Sequence, residues 1–260
     1  AINVELQGTD IAYAGNRIER LAGRAQGVWK EQAAIEAELQ AKGLQLGETR
    51  IVQTTARLQG NPANHTLTLQ ADSKEDQLAL ELTGKKDGED WTGELRHLQL
   101  QAADIGHWRQ HKAAKLTLSA QGARIEPLCV QTNQASLCLE GQWQKVDGHW
   151  QGSTQLADLP LGILQPWMPP EMELAGRFNL DIKASGQGNQ LRDAHLVGTT
   201  PGLQLNFLYG GSPAQNLAWK SHRLEASYRN ERLEANWYNE LEDGSTVEAR
   251  LSSARLLLPG

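Results

Sequence analysis

"EMELAGRFNLDIKASG", residues 171–186, decides how this chain is read. Its even positions are Met172, Leu174, Gly176, Phe178, Leu180 and Ile182; its odd positions include Glu171, Glu173, Arg177, Asn179, Asp181 and Lys183. Successive side chains of a strand point to opposite faces, so the alternation describes a strand with one dry and one wet face. The pattern recurs in "HTLTLQA" (65–71), where Leu67 and Leu69 oppose Thr66 and Thr68, and in "QLALELTG" (77–84), with Leu78, Leu80 and Leu82. Between such runs stand "NPANH", "KKDGEDW", "KVDGHW", "SGQGNQ" and "LEDGSTV". These supply the Asp-Gly, Gly-Asn and Pro-containing turns of hairpins. The expected fold is all-β, an antiparallel β-meander.

Two segments need separate treatment. "EQAAIEAELQAK" (31–42) is rich in good helix formers, yet Ile35, Ala37, Leu39 and Ala41 alternate, and β-rich surroundings override weak propensity. A strand is expected there. "LPLGILQPWMPP" (159–170), with proline at both ends, reads as a helical turn or corner.

A repeat is visible between residues 80–108 and 137–167. Trp91 matches Trp150, Gly93 matches Gly152, Leu100 matches Leu159 and Trp108 matches Trp167, all at one offset of 59 residues (91 to 150). Gly84 and Gly141 fit after a small insertion, and "LAGRAQGVW" (21–29) is a fainter trace. A recurring strand-turn-strand-corner unit is how an elongated β architecture grows. The expectation is one continuous β segment over residues 1–260. Because the chain opens in alternation at "AINVELQG", we expect it to be a piece of a longer protein.

The formal charge of −6 offers no basic stripe for nucleic acid. No apolar run approaches the roughly 20 residues of a membrane-spanning helix. Only 39% of residues are hydrophobic and two are Phe, thin for a closed two-sided core but sufficient for a single layer with one apolar face.

The two cysteines lie in "LCVQTNQASLCL" (128–139), without the spacing of a zinc site. With Asn133 and Gln134 as a two-residue turn, Cys129 falls opposite Cys138 at a non-hydrogen-bonded pair, where side chains approach closely. Val130 and Leu137 then share the opposite, apolar face. That register implies a cross-strand disulfide and an oxidising compartment; two unpaired buried thiols are the alternative.

Motifs for chemistry are weak. His107 and His111 have i, i+4 spacing without the zincin glutamate, and no P-loop, dinucleotide fingerprint or nucleophile elbow occurs. No catalytic residue, metal or cofactor is expected. Most of the eight tryptophans stand beside turns or corners, where packing explains them.

"GNPANHTLTLQA", "LALELTGKKDGEDWTGEL", "LCVQTNQASLCLEGQW" and "LPLGILQPWMPPEMELAGRF" resemble, in that order, the periplasmic body of the TamB family. These are subunits of the translocation and assembly module, within the AsmA-like superfamily. The resemblance implies a β-taco, an open half-pipe with an apolar concave groove, here as a middle segment. It also implies a periplasmic location in an inner-membrane-anchored protein of Gram-negative bacteria, phospholipid transport between the membranes, and outer-membrane protein assembly. Docking on the BamA-like barrel TamA would use regions outside this chain. The groove would be lined by Leu67, Leu69, Leu80, Leu82, Leu116 and Leu118. It would continue through Val130, Leu137, Leu139, Leu174, Phe178 and Ile182. The partners expected are phospholipid acyl chains. A chaperone or scaffold for unfolded outer-membrane proteins is the first alternative, and a spacer with a filled core the second.

Overall fold

The computed structural model describes residues 2–28, 33–47, 49–207 and 215–253. They form nineteen strands, paired antiparallel, and one 3-10 helix. The all-β meander expected from the period-two pattern is the fold found. Two compact units, Ala1–Val130 and Gln131–Gly260, divide the chain.

The first unit begins with β1 (Ile2–Tyr13), β2 (Asn16–Gly27), β3 (Ile35–Leu46), β4 (Thr49–Asn61) and β5 (Asn64–Ser73). It continues with β6 (Gln77–Asp87), β7 (Asp90–Ala102), β8 (Gly106–Gln110), β9 (Ala114–Ser119) and β10 (Gly122–Gln131). From β1 to β7 every strand pairs with the next in sequence. Strand β7 then divides its length, pairing β8 through Gln99–Ala102 and β9 through Trp91–Leu95. Strand β3 resolves the ambiguous segment in favour of a strand. Its Ile35, Ala37, Leu39 and Ala41 stand opposite Gly27, Ala25, Gly23 and Leu21, and these cross-strand contacts outweigh helix propensity. Glu31, Gln32 and the Trp29 of the faint repeat trace lie outside the described residues.

The second unit contains β11 (Ser136–Gln144), β12 (His149–Pro160), the 3-10 helix (Leu161–Trp167), β13 (Met172–Ala175) and β14 (Arg177–Gln187). Then follow β15 (Gln190–Thr199), β16 (Gln204–Phe207), β17 (Gln215–Arg229), β18 (Arg232–Leu241) and β19 (Thr246–Ser252). The main ladder runs β11–β12–β14–β15–β17–β18–β19. A short second ladder joins β13, β16 and the start of β17. The helical corner expected at 159–170 is the 3-10 helix. The stretch 171–186, expected as one strand, is two. It breaks at Gly176 (φ 118°), where an added Cβ would come within 2.7 Å of the Gly202 carbonyl oxygen. Glycine alone tolerates both that backbone and that contact.

Little of this molecule is enclosed. The buried apolar residues among those described are Leu95, Trp108, Ala114, Ala135, Leu161 and Tyr228. Among the described residues no large side chain is fully buried. Within each unit, then, apolar side chains are covered by their cross-strand neighbours more than by a second layer.

Candidate functional site

The register of the first unit sorts its side chains into rows that cross the strands. One row runs Leu6–Gly23–Leu39–Ala56–Leu69–Leu80–Leu98 from β1 to β7. The next, two residues along each strand, runs Val4–Ala25–Ala37–Leu58–Leu67–Leu82–Leu95 and ends on Ala114 of β9. Six inter-strand steps of about 4.8 Å make the β1–β7 span of each row roughly 29 Å long. A register shift at Glu81/Leu82 keeps Leu95 and Leu98 on one face despite their odd spacing. Leu116 and Leu118 join this face opposite Gly93 and Trp91. The six leucines expected to line a groove in this half therefore share one face.

Between those rows, on the other face, runs Glu5–Arg24–Glu38–Arg57–Thr68–Glu81–His97. Glu38 accepts from Arg24 at 2.8 Å and from Arg57 at 3.3 Å, with its side chain only 10% exposed. A hydrogen bond from Gln40 holds its carboxyl below the usual carboxylate range, aided by Arg24 and Arg57 and opposed by burial. Charge pairs with charge on this face, leaving the opposite face purely apolar in these rows.

The apolar face of β1–β5 carries a trough of about 310 Å³ lined by Val4, Leu6, Leu39, Ala56, Leu58 and Leu67, among others. Val4, Leu6 and Leu39 are 51%, 49% and 44% exposed. Farther along the same sheet, Trp91 lies over Gly84 and Gly93. A Cβ at Gly93 would overlap the indole, and one at Gly84 would come within 2.6 Å of it. The indole N–H donates to His65 Nε2 at 2.9 Å.

The second unit repeats the construction. Leu137–Leu156–Leu180–Gly198–Leu224–Trp237–Ala249 form one row, and Leu139–Thr154–Ile182–Leu196–Ala226–Ala235–Leu251 the next. Phe178 stands opposite Leu159, and a Cβ on Gly198 would lie 3.5 Å from its ring. Leu174 belongs to the short ladder, opposite Leu205, which in turn faces Leu217. Val130 is half-buried near the end of β10. Of the twelve expected lining residues none is buried, and Leu118 (52%) and Leu139 (37%) are exposed.

The expected lining set left out Leu39, Leu58 and Leu98 in the first unit and Leu180, Leu196 and Leu224 in the second, although Leu39 and Leu180 already stand in the alternating patterns of the sequence. All but Leu98 sit at the parity of the other apolar residues of their strand, so strict alternation finds them; Leu98 reaches this face only through the register shift at Glu81/Leu82.

Cys129 and Cys138 are disulfide-bonded, as the hairpin register predicts. The turn is the expected one: Thr132 N–H donates to the Ala135 carbonyl at 2.8 Å. The Thr132 hydroxyl accepts from the N–H groups of Gln134 and Ala135 at 3.0 and 2.9 Å. Cys138 stands opposite Gln155, which faces Asp181, so it occupies the polar face while Leu137 occupies the apolar one.

His107 lies in β8 and His111 in the bend just beyond it, not on one helical turn. The metal motif needs both histidines on one face of a helix, one turn apart, and no helix holds them here. Among the described residues no three His, Cys, Asp or Glu side chains gather as a metal site requires. No described helix is long and apolar enough to cross a membrane.

Compared with known proteins, the chain matches the family model described as "TamB, N-terminal domain" over residues 1–256. That model is of an N-terminal domain, where the sequence resemblance suggested a middle segment. No curated protein and no solved structure matches the chain.

Proposed function

Because this chain belongs to the TamB N-terminal domain family, and with it to the translocation and assembly module, we propose that it is a non-catalytic, periplasmic stretch of lipid conduit. Acyl chains lie along the apolar rows while head groups stay in water. The observation that carries this reading is the pair of unbroken apolar rows crossing seven strands of the first unit, half-exposed and bordered by a trough.

The energetics favour such a surface. Each methylene carried through water costs about 0.8 kcal/mol, so a tail of about 16 carbons carried bare faces on the order of 12 kcal/mol. A face that covers half of such a tail removes roughly 6 kcal/mol on the same scale. One acyl chain occupies about half the 30 Å hydrocarbon thickness of a bilayer, so a row of roughly 29 Å accommodates its full length. Aliphatic lining without convergent polar groups also leaves no strong sticking point along these rows. Passage from inner to outer membrane, and contact with TamA through regions beyond this chain, complete the proposal.

A photocrosslinking amino acid at Leu69 or Leu180 tests it in cells. Phospholipid adducts are expected at both positions. Client polypeptide in place of lipid would favour a chaperone for outer-membrane proteins, and no adduct of either kind would favour a spacer.

A further inference from the structure

A wholly polar row lies beside the apolar rows of the second unit. Gly198, Leu224 and Trp237 are cross-strand neighbours on the apolar face. Two residues further along each strand, Thr200, His222 and Asn239 fall on that same face as the next row. Thr200 N–H donates to the His222 carbonyl at 3.2 Å, and His222 is the register partner of Asn239. Apolar residues flank the row: Val247 on β19 is the register partner of Asn239, and Phe178 on β14 directly precedes Asn179, the partner of Thr199.

Two of these side chains are deeply covered, His222 is half-buried, and each of the three holds a buried polar atom without a bond. Thr200 is 6% exposed and Asn239 2%. Thr200 Oγ1, His222 Nδ1 and Asn239 Oδ1 are each buried without a hydrogen-bond partner. An unsatisfied buried polar atom costs about 1–3 kcal/mol, so three side by side on adjacent strands call for a common ligand.

Their chemistry specifies it. The Trp237 indole N–H donates to His222 Nε2 at 2.8 Å. An indole can only donate, so Nε2 accepts, the imidazole is neutral, and its proton sits on Nδ1. The row therefore presents one N–H donor, one carbonyl acceptor and one hydroxyl of either sense. An anion would meet the Asn239 carbonyl and a cation the His222 N–H, so a neutral group fits best. Adjacent strands lie about 4.8 Å apart, which lets one oxygen reach two neighbouring side chains at hydrogen-bond length.

We infer that Thr200, His222 and Asn239 form a binding site for a neutral hydroxyl oxygen, which accepts from His222 Nδ1–H and donates to Asn239 Oδ1 or Thr200 Oγ1. The oxygen comes either from an ordered water or from the alcohol group of a neutral amphiphile on the apolar face. A buried water commonly makes about three hydrogen bonds to such groups. The site stands whether or not phospholipid occupies the rest of the face.

NMR of the ¹⁵N-histidine-labelled chain tests this directly. The His222 ring is expected as the Nδ1–H tautomer, with a cross-relaxation peak from that proton to water. Monoacylglycerol micelles distinguish the two sources: a persisting water peak identifies water, and its replacement by a glycerol peak identifies the alcohol. Thr200→Val keeps the side-chain shape and removes one partner, and should speed exchange of the Nδ1 proton at least several-fold. An Nδ1–H with contact to neither water nor glycerol would overturn the inference, as would a proton on Nε2. So would a high-resolution crystal structure in which the three side chains close directly on one another.

Discussion

Replacing Leu69 by Glu separates an open apolar face from an enclosed one. Leu69 is half-buried in the middle of its row, between Ala56 on β4 and Leu80 on β6. Fully burying a leucine contributes about 1.5–3 kcal/mol, so losing a half-buried one costs about 1 kcal/mol. Exchanging it for a poorer strand former adds up to about 1 kcal/mol. The introduced carboxylate can turn toward solvent on an uncovered face and stay charged. The total expected from urea titration followed by circular dichroism is therefore about 2 kcal/mol, with the fold retained. Lipid labelling from a crosslinker at a neighbouring position should fall sharply, because an acyl chain passing that point would have to desolvate the charge. Were the face closed under a second layer, the same substitution would bury an unpaired charge and cost well over 4 kcal/mol. A loss of that size, or lipid labelling that survives the substitution intact, would refute the reasoning.

Other outcomes can be checked independently. Replacing Cys129 and Cys138 together by alanine removes a loop of about ten residues, worth at most roughly 2.7 kcal/mol; thermal melts should drop modestly while circular dichroism still reports a β fold. Gly93→Val places side-chain atoms where the Trp91 indole lies, so it should destabilise by about 1–3 kcal/mol. Adding Trp91→Ala should recover part of that loss, measured as a non-additive double-mutant cycle. Burial pushes the His222 pKa below its ordinary 6.5. The unfolded chain then takes up the proton first, so the stability His222 contributes is complete above about 6.5 and lost as pH falls through the lower folded value. Melting temperature should therefore decline below about pH 6.5, and His222→Gln should flatten that part of the profile. The carboxyls of Glu38, Glu225 and Glu240, all held low by hydrogen bonds, act the same way but only below their ordinary 4.5.

Much of this architecture was legible from local pattern. Strand β3 is legible as a strand because Ile35, Ala37, Leu39 and Ala41 alternate, and the 3-10 corner because prolines bracket it. The cysteine pair was legible because a two-residue turn permits one register in which Cys129 meets Cys138 while Leu137 keeps its apolar face. The break at Gly176 was not, since alternation continues through it and only the approach of Gly202 demands a glycine. Nor was the polar row: Thr200, His222 and Asn239 are separated by about twenty residues each and look ordinary in their own strands.

Period two is a property of consecutive residues, so the sequence alone determined which side chains share a face within each strand. Which strands become neighbours, and at what register, depends on pairings between distant segments and on local shifts such as those at Leu82 and Leu159. Only the tertiary structure could therefore join separate leucines into rows and set Thr200, His222 and Asn239 side by side. Hydrogen bonds between strands, not the pattern within them, bring those residues together.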